Sequence, residues 1–224
     1  MPDILDFGGI PLLDLISEPL KRRIRATATA VRYRDGAFVH SHGDEKPGLS
    51  IVQSGAIRFG IVDADGTYVS TSLLGAGHCF GEATLFANRP RTHDAVAIGE
   101  TVIDQIDKPS FDRLFDREPE LARTLLEATT QRLYSVLDFM DDLRRLPLIL
   151  RTAKLIATMA RSAKLKRYIE CNQIDLALTL GVSRVSIGKA LAELQKEELI
   201  TLGYGKIEIP NQARLFEWID EQSN

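Results

Sequence analysis

Residues 183–189 read Ser-Arg-Val-Ser-Ile-Gly-Lys. Ser183 is an N-cap by residue type. A helix that starts there turns Arg184, Val185, Ser186 and Lys189 outward when Ile187 and Leu191 face inward. In the major groove of a duplex, Arg184 and Lys189 can each donate to guanine O6 and N7, or to phosphate alone, which positions a protein without reading sequence. Val185 has no hydrogen-bonding group, so the base contact open to it is a thymine methyl. The four histidines, His40, His42, His78 and His93, form a second set. His40-Ser41-His42 followed by Glu45 has the H-x-H…E pattern of a cupin-type metal enzyme, because side chains at i and i+2 of a strand share a face. Gly43, Asp44, Lys46 and Pro47 around them favour a solvated turn instead. His78, beside Cys79, has the side chain of a haem ligand in a gas sensor. His93 can be a pH-sensitive partner for Glu82 or Asp94.

The elements that hold residues 183–189 are legible around them. From Gln173 the chain reads QIDLALTLGVSRVSIGKALAELQ. In a helix-turn-helix beginning there, Ala177 is small where the two helices approach, and Gly181 falls where the turn needs a positive φ. Leu176, Leu180, Val182, Ile187 and Leu191 supply the buried face. Residues 198–202 and 206–209 flank Gly203-Tyr204-Gly205, a strand–turn–strand that reads as a wing. Charge agrees: residues 1–150 hold 17 basic and 22 acidic side chains, whereas residues 151–210 hold 10 basic and 6 acidic. The overall charge of −3 conceals a basic block on an acidic body.

Residues 31–107 alternate short apolar runs (LSIVQSG, AIRFGIV, YVSTSLL, DAVAIG, TVIDQI) with Gly, Asp and Pro, which predicts an antiparallel double-sheet roll, jelly roll or barrel. Asp63 to Gly66 reads as a hairpin turn. Residues 12–30 and 148–170 each read as helix. Residues 109–145 read as helix with starts at Pro109 and Pro119. Within it Leu126, Thr129, Leu133, Val136, Met140 and Leu143 form an a/d seam, which suits a partner helix. Leu137 and Phe139 lie off the seam and suit packing on the sheet. The alternative is a helix lying on its own β domain. In a chain of 224 residues, 44% apolar and 26% charged, these are folded globular units. The separated Cys79 and Cys171, the absence of a long apolar run and the acidic start MPDILDFGG point to a reducing cytoplasm, with no membrane partner and no signal peptide. No nucleophile elbow, P-loop or dinucleotide fingerprint appears, so no enzyme is expected.

The string FGEATLFANRPRT, Phe80 to Thr92, resembles the phosphate-binding cassette of cyclic-nucleotide-binding domains. With the helix 119–145 and the winged helix-turn-helix after it, nearly the whole chain resembles the CRP/FNR superfamily of bacterial transcription regulators. The resemblance implies an α+β protein: a β-roll sensing an effector (1–117), a dimerisation helix (118–146) and a DNA-binding domain (147–224). It also implies a homodimer on a palindromic operator, with RNA polymerase as a further partner. It places Gly81, Glu82, Arg91 and Thr92 at the effector. Glycine lets an anion approach, Glu82 can accept from a ribose hydroxyl, Arg91 can pair with a cyclic phosphate and Thr92 can donate. Alternatively, Glu82 and Arg91 pair with each other. Val136 and Leu137 match helix positions that face the base in nucleotide-responsive relatives, though neither can hydrogen-bond an adenine edge. His93 and Asp94 stand where the family has small residues. The candidate effectors are a cyclic nucleotide and, secondarily, haem.

Overall fold

The computed structural model describes residues 9–62, 68–162 and 168–223, and the chain divides into two compact units between Ser135 and Val136. The first unit opens with α1 (Leu12–Leu15) and α2 (Glu18–Thr27). These replace the single helix expected over 12–30. Pro19 occupies the first turn of α2, where its missing N–H is harmless. Thr29 to Tyr33, rich in side chains that suit a pleated surface, leave the helix and become β1. There follow β2 (Phe38–His40), β3 (Gly48–Val62), β4 (Tyr68–Gly75), β5 (Cys79–Phe80), α3 (Glu82–Phe86), β6 (Asp94–Asp107), α4 (Lys108–Arg117) and the long α5 (Pro119–Arg145). The expected turn at 63–66 lies outside the described residues.

The two long strands make the roll. Residues 48–54 of β3 pair with 102–107 of β6, and this half is flanked by β5 and β1. After register shifts between Val52 and Ala56, residues 56–60 pair with 94–98, now flanked by β4 and β2. Bulges of this kind bend a strand and increase its twist, which lets one ladder serve two layers. Neighbours on β3 then face opposite sides. Val52 joins Ile57, Leu74, Phe80, Ala95, Ala97 and Ile103 in one apolar cluster. Ile51 joins Leu12, Leu20, Ile24, Cys79, Ile106, Phe111, Leu121 and Leu125 in another, where the helices meet the sheet.

The second unit contains α6 (Leu148–Ser162), β7 (Tyr168–Glu170), α7 (Gln173–Leu180), α8 (Arg184–Lys196), β8 (Thr201–Gly203), β9 (Lys206–Glu208) and α9 (Gln212–Ser223). The helix expected over 148–170 is corrected: α6 ends at Ser162, and Tyr168 to Glu170 form a strand that pairs with β9. The wing is therefore the outer part of a three-stranded sheet, ordered β7-β9-β8. Leu150, Ile156, Ile187, Leu191, Leu194 and Leu215 are buried in this unit. Among the described residues, no helix is long and apolar enough to cross a membrane.

Candidate ligand cavity and nucleic-acid interface

In the first unit, Gly81, Glu82, Arg91 and Thr92 line one cavity of about 260 Å3, together with His40, Phe59, Phe80, His93 and Arg132. Gly81 caps the N-terminus of α3 at a φ of +106°. A Cβ there would run into the Gly48 carbonyl and the Arg91 guanidinium, so the close approach requires glycine. Arg91 Nη2 donates to the carbonyls of Lys46 and Gly48, both long at 3.4 Å. Burial lowers the Arg91 pKa, as for any cation withdrawn from water. Among the described residues no ion pair or hydrogen bond joins Arg91 to Glu82, although the Glu82 charge acts on it. Arg132 Nη1, from α5, lies 3.2 Å from Glu82 Oε1, and both side chains are largely buried. Arg132 Nη2 donates to the Cys79 carbonyl, and the Cys79 thiol donates to Glu82, each at 3.2 Å. Burial pushes the Cys79 thiol pKa well up, and the Glu82 carboxylate adds to the effect, so Cys79 stays a donor.

Arg132 was not legible as a site residue. A cation beside an apolar seam was its signal, but its partner lies fifty positions away in the chain. Val136 and Leu137, matched to the base by resemblance, lie beyond the division between the units and present exposed side chains. Leu137 is thus not packed on a sheet.

The histidines separate. His40 is not in a solvated turn. It ends β2, and its ring centroid lies 5.7 Å from that of Phe80 and 6.1 Å from that of Phe59. Desolvation, followed by the Arg91 charge, lowers its pKa to about 4. His42 and Glu45 are exposed, so the H-x-H…E residues do not share a face. Asp94 turns inward and accepts from the His42 backbone N–H at 2.7 Å. His93 Nδ1 meets Thr92 Oγ1 at 2.9 Å, so its hydrogen-bond partner is Thr92 rather than Glu82 or Asp94. Burial, then nearby His42, lowers the His93 pKa. His78 is buried and does not line the cavity.

In the second unit, the helix-turn-helix forms as its residues dictate. Asn172 caps α7 by accepting from the Asp175 N–H at 2.9 Å. Gly181 takes φ +64°, the left-handed turn. Ala177, Leu176 and Leu180 are buried. Ser183 Oγ accepts from the Ser186 N–H at 3.1 Å and meets the Ser186 hydroxyl at 2.9 Å, so both serines are occupied in the cap. Arg184, Val185 and Lys189 are exposed on the first turns of α8, and Tyr204 is fully exposed at the wing tip. Part of the basic block is engaged within the unit instead. Lys154 binds Asp142 at 2.7 Å, Arg151 donates to the Leu143 carbonyl at 3.3 Å, and Lys206 binds Glu208 at 2.6 Å. Arg161, Lys164, Lys166 and Arg167 carry side chains outside the described residues.

Along α5, the seam residues are uncovered: Leu126 is 70% exposed, Leu133 56%, Met140 44% and Val136 36%. The opposite side of its first turns, Leu121, Thr124, Leu125 and Ala128, is buried.

Residues 30–118 match the cyclic nucleotide-binding domain, and residues 150–218 match the Crp-like helix-turn-helix domain. The chain is 29% identical over 203 residues to the HTH-type transcriptional regulator Cmr of Mycobacterium tuberculosis, covering 89% of this chain and 81% of that protein. It is 28% identical over 185 residues to the cyclic AMP receptor protein of Thermus thermophilus, covering 83% and 85%. In fold it is similar to FixK2 from Bradyrhizobium japonicum, with a TM-score of 0.68, 22% identity and coverage of 85% and 96%. Both matched domains, in this order and over most of the chain, are those of transcription regulators rather than enzymes. The chain belongs to the CRP/FNR superfamily of transcription regulators.

Proposed function

We propose that this protein is a homodimeric, sequence-specific DNA-binding regulator that responds to a small anionic effector. Its domains are an effector-sensing roll (1–117), a dimerisation helix (118–146) and a DNA-binding unit (147–224). The observation that carries the reading is α8. Its first turns are capped from within by Ser183, and they present Arg184 and Lys189 to solvent, with no bond to either side chain among the described residues. A helix so capped, with a wing beside it, is built to enter a major groove. The exposed seam residues Leu126, Leu133, Val136 and Met140, with half-buried Leu143 at the end of the row, support a partner helix. Two such chains related by a two-fold axis need a two-fold operator.

The effector reading rests on the cavity. Gly81 and Arg91 fit an anion, and Thr92 adds a hydroxyl. A cyclic nucleotide is the first candidate, since the Thermus relative is by name a cyclic AMP receptor. Its sugar hydroxyls would share Glu82 with Arg132.

Selection from a random duplex pool, run with and without cyclic nucleotides, should return a symmetric site with half-sites about 10 bp apart. A monomer that enriches no sequence under either condition overturns the reading. Arg184→Ala should reduce the preference for that site over random DNA by roughly 1–3 kcal/mol. Equal losses on both would leave Arg184 a phosphate contact.

A further inference from the structure

On the first turns of α8, Val185 is the residue most at odds with solvent. It is 70% exposed, although the helix buries its other large aliphatics, Ile187, Leu191 and Leu194. Val185 and Lys189 are one turn apart and lie on one face, and Arg184 lies beside them. The hydrogen-bonding repertoire of this surface is narrow. Between Ser183 and Lys189 there is no Asp, Glu, Asn or Gln, and the first carboxylate on α8 is Glu193. No carboxylate here accepts from cytosine N4, and no amide pairs with adenine N6 and N7 together. The hydroxyls of Ser183 and Ser186 are held within the cap. What remains is two cations for guanine or phosphate, and one branched aliphatic side chain.

We propose that Val185 is a specificity-determining residue that reads a pyrimidine 5-methyl group in each half-site, beside a guanine contacted by Lys189. The inference rests on the DNA-binding reading of α8 and deepens it. The methyl belongs to thymine or to 5-methylcytosine, which present the same group at the same place in the major groove. One turn of helix rises ~5.4 Å, and base pairs are stacked about 3.4 Å apart. The methyl therefore lies within two base steps of the guanine. The contact removes the Val185 methyls from water.

Two selections with the full-length protein test this, one from an ordinary pool and one from a pool synthesised with 5-methylcytosine in place of cytosine. Thymine at one position in both pools assigns the methyl to thymine. Replacement of that thymine by 5-methylcytosine in the second pool assigns it to the methylated base. Neither base within two steps of a preferred guanine overturns the proposal. Failure of both pools to enrich any sequence removes the DNA-binding reading itself, a separate result.

Kd is then measured on the selected duplex and on the same duplex lacking that methyl, with deoxyuridine for thymine or cytosine for 5-methylcytosine. Wild type should lose about 4-fold per half-site, the worth of one buried methyl-sized group. Val185→Ala should bind the two duplexes alike, and Val185→Ile should restore the difference. Equal methyl dependence in wild type and Val185→Ala, or no methyl dependence in wild type, overturns the proposal. Circular dichroism of the variants confirms that they fold, as the exposure of position 185 leads one to expect.

Discussion

At the scale of single residues, His40 is a half-buried imidazole set beside a cation. Its neutral ring sits among Phe59 and Phe80, with Arg91 disfavouring a second positive charge and Asp44 and Asp94 only partly offsetting it. An unfolded chain binds this proton near pH 6.5, but the fold resists it down to about 4. Stability from His40 is therefore complete above about pH 6.5 and is lost as pH falls toward 4. Thermal melts between pH 7 and 4 should show a steeper decline in wild type than in His40→Gln. The difference should be on the order of 1–2 kcal/mol, after allowance for partial exposure. Parallel declines would refute it. The sequence placed His40 in a solvated turn because Gly43, Asp44 and Pro47 follow it, and those neighbours are local. The aromatic wall that captures His40 comes from β3 and β5, which only the folded sheet brings near. Gly81 and Arg91 were legible because the cassette carries them in one short string. The partner of Glu82 was not legible, because Arg132 comes from a different element.

At the scale of elements, α8 is held to its start by one hydroxyl. Ser183→Ala removes the acceptor for the Ser186 N–H and should destabilise the second unit by about 1 kcal/mol, whereas Ser183→Asp should keep most of the stability. The single tryptophan, Trp218, lies on α9 in the same unit, so its fluorescence in a denaturant titration follows this change. An unchanged midpoint in Ser183→Ala would show the cap to be redundant. The helix-turn-helix was readable because each of its constraints is local: a cap, a left-handed glycine, a small residue at the crossing. The strand β7 was not. Tyr168 to Glu170 follow a basic helical stretch, and their strand character comes from pairing with β9, nearly forty residues on. The basic balance of this unit also overstated its outward charge, since Lys154 and Lys206 are bound to carboxylates.

At the scale of the whole molecule, the exposed apolar stripe of α5 is the surface on which the proposed dimer is tested. Leu133→Asp with Met140→Asp places charge on residues already exposed, so each chain should still fold. Sedimentation should then show monomers, and affinity for a two-half-site duplex should fall toward that for a single half-site. A double variant that sediments as wild type would move the interface elsewhere. The same helix carries Arg132, and this bears on any occupant of the cavity. Glu82 already accepts from Arg132 and from the Cys79 thiol, so the carboxylate is not an idle acceptor waiting for a ligand. An occupant that donates to Glu82 performs an exchange, one hydrogen bond for another, and an exchange of like for like contributes little net affinity. The affinity must then come mainly from Arg91, whose present contacts are long. The exchange at Glu82 supplies something different: it converts occupancy into the release of a side chain anchored on α5.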